Sequence, residues 1–213
     1  MNKIFNINLG GYPFTIDDDA YHKLDKYLKT IRRHFSGSEG CDDIITDIEA
    51  RIAELFNQEL KGQPIVGMRE VDRVIKVMGT PEEFGAVDDT TMDDKSTKKA
   101  KAHSTSTESR RLFRDGENKV IAGVAGGLAA YFGIHDALWI RLIFVLGFFF
   151  GGLSVLIYPI LWIVLPEAKT SADKLAMTGE PINVSNIAKK VEEEISNLSD
   201  TLNEFTKEFK SKK

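Results

Sequence analysis

Cysteine is almost missing. Cys41 stands alone among 213 residues, so no intrachain disulfide or Cys-rich zinc site can form, and a stapled secreted scaffold is excluded. Histidine is scarce too: the four, at positions 22, 34, 103 and 135, have no second ligand at metal spacing, so no metal is expected. A surplus of basic charge is also lacking. With 28 Lys and Arg against 32 Asp and Glu the formal charge is −4, which argues against nucleic acid as a partner of the whole chain. No nucleophile with a neighbouring base can be assembled from the motifs, so neither catalysis nor a cofactor is expected. At 23.8 kDa there is room for one ordinary domain or two small ones.

The most informative absence is local. From Leu142 to Leu165 there are 24 consecutive residues without a charge, although the mean hydropathy of the whole chain is only −0.19. As one straight helix that run would reach about 36 Å, against about 30 Å of bilayer hydrocarbon. It is apolar all round, unlike the striped helix of a soluble core. Trp139 and Trp162 flank it at the level where amphipathic rings meet headgroups. The expectation is a membrane segment over residues 138–165. Gly151-Gly152 near the middle and Pro159 leave a re-entrant hairpin open, but an arm of about 20 Å is too short to span, so a single crossing is favoured. The tail would then lie outside the cytoplasm. The opening residues MNKIFNINLG lack the apolar core of a secretory signal, and Arg110, Arg111, Arg114, Lys119 and Arg141 precede the run while Lys169 and Lys174 follow it. Both features predict a cytoplasmic N-terminus.

Residues 1–87 read as a small α+β module. Lys3 to Leu9 alternates, Gly10-Gly11 turns the chain, and Tyr12 to Ile16 supplies a second strand. Thr15 and Asp18 have capping-box spacing before a helix with the stripe Ala20, Leu24, Leu28, Ile31 and Phe35. A second helix starts near Asp42 and buries Ile45, Ile48, Ile52, Leu55 and Phe56; a third runs from about Arg69 to Met78 and closes at Gly79. Thr80, Pro81 and Glu83 signal a further helix start. The progression YLKTIRRHF, DIITDIEARIAELF, VDRVIKVMGTPEEFG resembles HAAS-like helical modules, which implies an intracellular interaction or regulatory unit. The strand pair is an addition to that pattern.

Residues 88–109 have the composition of a flexible linker, with an end-to-end distance of about 26 Å. Lys95 to Lys119 carries eight Lys and Arg against three acidic residues. Attraction to anionic headgroups and a solvated linker both account for that excess. Residues 110–166 contain Arg-Leu-Phe-Arg, then Ile121 to Ala129 (IAGVAGGLA), Tyr131-Phe132-Gly133, Trp139 to Leu142 (WIRL) and the apolar run ending at Pro166. This segment closely resembles the phage-shock-protein C (PspC) domain. The resemblance implies a protein of the bacterial inner membrane that senses envelope stress and signals to cytoplasmic regulators.

The same residues have a physical reading of their own. Gly123 and Gly127, with Gly126 beside them, form small faces on which helices can approach closely. Apolar neighbours suit a short helix that lies in the membrane interface or packs on the spanning helix. No G-x-G-x-x-G can be aligned and no Gly-Lys-[Ser/Thr] follows, which argues against a phosphate loop. Asp136 sits where a helix cap is needed. Arg141 can snorkel to headgroup phosphates and set the depth of the membrane helix, either in sensing or as a topology determinant alone.

The tail, residues 167–213, holds an amphipathic helix over 184–210. Its apolar positions Val184, Ile187, Val191, Ile195, Leu198, Leu202, Phe205 and Phe209 approximate a heptad seam. Pairing with a second copy or a partner is preferred to lying on a membrane or packing locally.

The expected architecture is a mainly α membrane protein: a small α+β module, a glycine-rich interfacial helix plus transmembrane helix, and a coiled-coil-like tail. The expected function is a non-enzymatic, membrane-anchored envelope-stress sensor or adaptor. Its expected partners are the lipid bilayer, proteins of that pathway and further copies of itself. The alternative is a pore-forming, toxin-like oligomer, which would need a polar lumen face that the run lacks.

Overall fold

The computed structural model describes residues 3–60, 65–85, 110–116, 119–149 and 152–211. The expected linker at 88–109 lies outside them, as does the side chain of Phe209. The chain divides into two compact units, one of residues 1–103 with 183–213 and one of residues 104–182.

In the first unit β1 (Ile4–Leu9) and β2 (Tyr12–Asp17) pair antiparallel, with Leu9 opposite Tyr12 across Gly10-Gly11. Both glycines have positive φ, +53° and +89°, as a two-residue hairpin turn of the right twist requires. Thr15 does not cap the following helix, because it lies inside β2 and its hydroxyl donates to Asn6 Oδ1 at 3.0 Å. Helix α1 (Asp18–His34) starts from Asp17 instead. Its buried stripe takes Tyr27 rather than Leu28, and the Tyr27 hydroxyl donates to the Gly79 carbonyl at 2.8 Å. Helix α2 (Cys41–Leu60) inserts Ile44, Ile48, Ile52 and Phe56 into the core. A two-residue strand, β3 (Ile65–Val66), adds parallel to β2, so the sheet order is β1-β2-β3.

Helix α3 (Met68–Met78) follows, with Glu70 reaching back to accept the Gly67 N–H at 3.1 Å. After Gly79 the Thr80 N–H donates to Glu83 at 2.8 Å, so the capping geometry forms, but residues 81–85 are a turn.

In the second unit the element order is α4 (Val124–Phe132), α5 (Leu138–Phe149), α6 (Leu153–Val164) and α7 (Ser171–Thr178). The expected transmembrane helix over 138–165 is not there. Helix α5 stops at Phe149, α6 starts after Gly152 at φ +70°, and the two pack on each other as a hairpin. Gly147 lies beside Ser154, and the rings of Phe144 and Tyr158 meet edge to face at 5.1 Å. Each arm has 12 residues, or about 18 Å, and no helix among the described residues is long and apolar enough to cross a membrane. The apolar run therefore forms two paired helices, the second starting from Gly152.

The tail also divides differently from expectation. Residues 167–182 belong to the second unit, where α7 is closed by a capping box between Thr170 and Asp173 and by Gly179. Helix α8 (Val184–Ser211) belongs to the first unit and packs on α2, with Val191 and Ile195 against Gly40.

Candidate functional site

The second unit is held together by its opening segment, residues 110–116. The Arg111 N–H donates to the Ala176 carbonyl at 3.0 Å. Arg114 donates its N–H to Pro166 at 2.8 Å, and its own carbonyl accepts the Ala168 N–H at 3.0 Å. Its guanidinium donates to the carbonyls of Leu165, at 3.0 Å, and Ala122, at 3.2 Å, and faces the Glu167 carboxylate at 3.6 Å. One arginine thus ties the start of the unit to the chain that leaves α6 and to the turn before α4. Counted by charge alone, Arg114 gave no hint of this role.

The three glycines singled out by spacing lie against that same segment. A Cβ at Gly127 would overlap the Phe113 carbonyl oxygen, and one at Gly126 would lie 2.9 Å from the Asp115 Cβ. Gly123 is the N-cap of α4 at φ +76°, and a Cβ there would overlap the Asp115 carbonyl oxygen. Glycine is required at 127 and 123 because backbone occupies the place of a side chain. What approaches them is an extended segment, whereas their spacing predicts a second helix.

Helix α4 packs on α5 and α6, and the Tyr158 hydroxyl donates to the Ile121 carbonyl, pinning the second arm to the turn before α4. Between α4 and the hairpin lies a cleft of about 400 Å³. Its walls are apolar, with Ile121, Ala125, Phe144, Val145, Phe148 and Val155 prominent, and Arg141 is the one charged residue among the described residues that line it. A second cavity, of about 340 Å³, is lined by Asp115, His135, Asp136 and Arg141. Arg141 and Gly126 border both. Asp136 accepts the Leu138 N–H at 2.8 Å, as expected of a residue at the start of a helix.

The outer faces of the hairpin are bare hydrocarbon. Phe149 is 76% exposed and Ile163 82%, and Ile143, Leu146, Leu156 and Ile160 are exposed beside them. Trp139 and Trp162 are also exposed. The facing pairs Gly147 with Ser154 and Phe144 with Tyr158 define an antiparallel step, and continuing it brings Trp139 level with Trp162. Both indoles and Arg141 therefore lie toward the open end of the hairpin, while Phe148 and Phe149 form its closed end.

The seam residues of α8 separate into two groups. Ile187 and Val191 are buried and Ile195 is half-buried, whereas Leu198, Leu202 and Phe205 are exposed. Among the described residues no group of acidic, His or Cys side chains is arranged to hold a metal ion.

No curated protein and no solved structure matches the chain. A family match is found, and it covers the opening segment and α4 to α6 of the unit just described without reaching α7 or residues 1–87, whose likeness to HAAS-like modules stays a resemblance. Residues 110–168 match the PspC domain, so this chain carries a PspC domain, which points to a role related to the phage-shock stress response.

Proposed function

We propose that the protein is an envelope-stress adaptor seated in one leaflet of the bacterial inner membrane by the α5–α6 hairpin. It works through protein contacts and performs no chemistry. The observation that carries this reading is the amphipathic order of the hairpin: indoles and Arg141 at one end, exposed phenylalanines at the other. From Trp139 to Phe149 is ten residues, or about 15 Å of helix, which is half the thickness of the hydrocarbon core. Aromatic and arginine side chains favour the headgroup level, and a segment of this length suits a re-entrant or interfacial seat. Such a hairpin returns the chain to the side from which it entered. The packing of α8 on α2 supports the same reading, because the first module and the tail helix form one body.

That body faces the cytoplasm, following the basic residues that precede the hairpin. It offers Leu198, Leu202 and Phe205 as an apolar stripe for a protein partner or a second copy. Altered lateral packing of the lipids would change the seat of the hairpin and thereby bias which partner surface is presented, provided that the two states differ in affinity for the membrane.

The test is vesicle flotation of the full chain. The wild type is expected to float with vesicles, and a Phe148→Asp/Phe149→Asp variant is expected to bind about a thousandfold more weakly or worse, since each carboxylate in hydrocarbon costs about 2.5 kcal/mol or more. A wild type that stays with the unbound fraction would overturn the seating.

A further inference from the structure

The apolar cleft and the polar cavity beside it meet at Arg141 and Gly126, and their order follows that of the hairpin. The cleft extends along α5 from Arg141 to Phe148 and is closed on the far side by Val155 and Tyr158 of α6. Its charged end is the end that carries the indoles, and its apolar end is the phenylalanine tip. A volume of about 400 Å³ is within the range of ligand pockets. The shape is therefore a slot running from headgroup level into hydrocarbon, with a guanidinium at its mouth.

We infer that this slot holds one phospholipid of the surrounding leaflet, and specifically a zwitterionic lipid whose headgroup ends in a primary ammonium. One acyl chain lies in the cleft, and its phosphate meets Arg141, whose planar fork suits phosphate oxygens. Beyond the phosphate the polar cavity presents the carboxylates of Asp115 and Asp136. Asp136 spends one lone pair on the Leu138 N–H, and a carboxylate has acceptor sites beyond that one. The order cation, then carboxylates, matches phosphate followed by ammonium. Phosphatidylglycerol ends in a neutral glycerol and brings no cation to the two aspartates. A quaternary choline headgroup has no N–H to donate to them. The apolar surroundings of the slot, formed by exposed hairpin residues, make lipid the available occupant.

This inference rests on the membrane seating proposed above, and its test separates the two. The full chain is reconstituted in vesicles containing phosphatidylethanolamine, phosphatidylglycerol and phosphatidylcholine in equal parts, checked by flotation, then released into mild detergent for native mass spectrometry. The expected result is one retained phosphatidylethanolamine per chain. Arg141→Gln should reduce retention, counted per floated chain, about tenfold, since the loss of one charge-assisted contact is a change of that order. Val155→Trp, which fills the cleft and leaves Arg141 in place, should lower retention likewise. A chain that floats but retains no lipid would overturn the slot and leave the seating intact. Equal retention of all three lipids would overturn the headgroup assignment. A chain that fails to float removes both. Cross-linking between copies through Val155→Cys in a Cys41→Ser background would assign the cleft to a second copy of the chain and overturn the lipid.

Discussion

Gly127→Ala is expected to unfold the PspC unit while leaving the α+β unit folded. The added Cβ would overlap the Phe113 carbonyl oxygen and come within 3.1 Å of the Arg114 Cα. Neither side can retreat. Gly127 is buried in α4, where its N–H donates to Gly123 at 3.0 Å, and Arg114 is fixed by backbone hydrogen bonds to Pro166 and Ala168. Overpacking a tight site costs about 1 to 3 kcal/mol where side chains give way, and backbone on both sides places this one at about 3 kcal/mol or more. A unit of this size has little stability in reserve. Gly123→Ala should be at least as damaging, because a side chain at φ +76° adds backbone strain to the overlap with Asp115. Gly37→Ala is the control: nothing lies within 4 Å of its Cβ position, and its φ is ordinary. Amide hydrogen exchange of the full chain in detergent reads both units at once. Protection over residues 110–182 should be lost in the first two variants and kept in the third. Unchanged protection in Gly127→Ala would refute the close approach of the opening segment.

Arg114→Ala is expected to destabilise the same unit by about 3 kcal/mol, because it removes the donors to two carbonyls and one partner of Glu167 together. The side chain is only 20% exposed, so water replaces those donors poorly. Glu167 keeps Lys119, at 3.7 Å, which limits the purely electrostatic part of the loss. Arg114→Lys separates charge from shape. A lysine restores the charge but cannot direct two fixed N–H groups at Leu165 and Ala122, so rescue should be partial. Thermal unfolding of the three proteins under one detergent condition gives the order wild type, lysine, alanine. Full rescue by lysine would show that the fork geometry is dispensable.

The sequence made local backbone features legible and distant pairings illegible. The Gly10-Gly11 hairpin, the stripes of α1 to α3 and the end of α3 at Gly79 follow from periodicity and turn chemistry acting over a few residues. The two-residue strand β3 carries no period at all, and Tyr27 joins the core through a hydrogen bond to a carbonyl 52 residues away. Helix α7 carries legible local signals: Thr170-x-x-Asp173 is a capping box, and Gly179 follows at the right distance.

A hydropathy count measures how long an apolar run is, but its folding back depends on which side chains meet. The pairs Phe144 with Tyr158 and Gly147 with Ser154 exist only once the chain has reversed. The glycines of α4 reveal a close approach without naming what approaches, and the role of Arg114 depends on carbonyls at positions 122 and 165 that only the fold brings near. The seam of α8 is continuous in sequence, yet its first half is core and its middle is exposed, because α2 covers only part of a helix of 28 residues.

The central claim is that the chain enters the membrane and leaves it on one side. Two single-cysteine forms of the full chain test it, one keeping Cys41 and the other carrying Asn197→Cys in a Cys41→Ser background, both treated in bacterial cells with a membrane-impermeant maleimide. Asn197 is exposed on α8, in the same unit as Cys41. The account predicts protection at both positions in intact cells and labelling of both after permeabilisation of the inner membrane. Labelling at position 197 in intact cells while Cys41 stays protected would mean that the apolar run crosses the bilayer, and would contradict it.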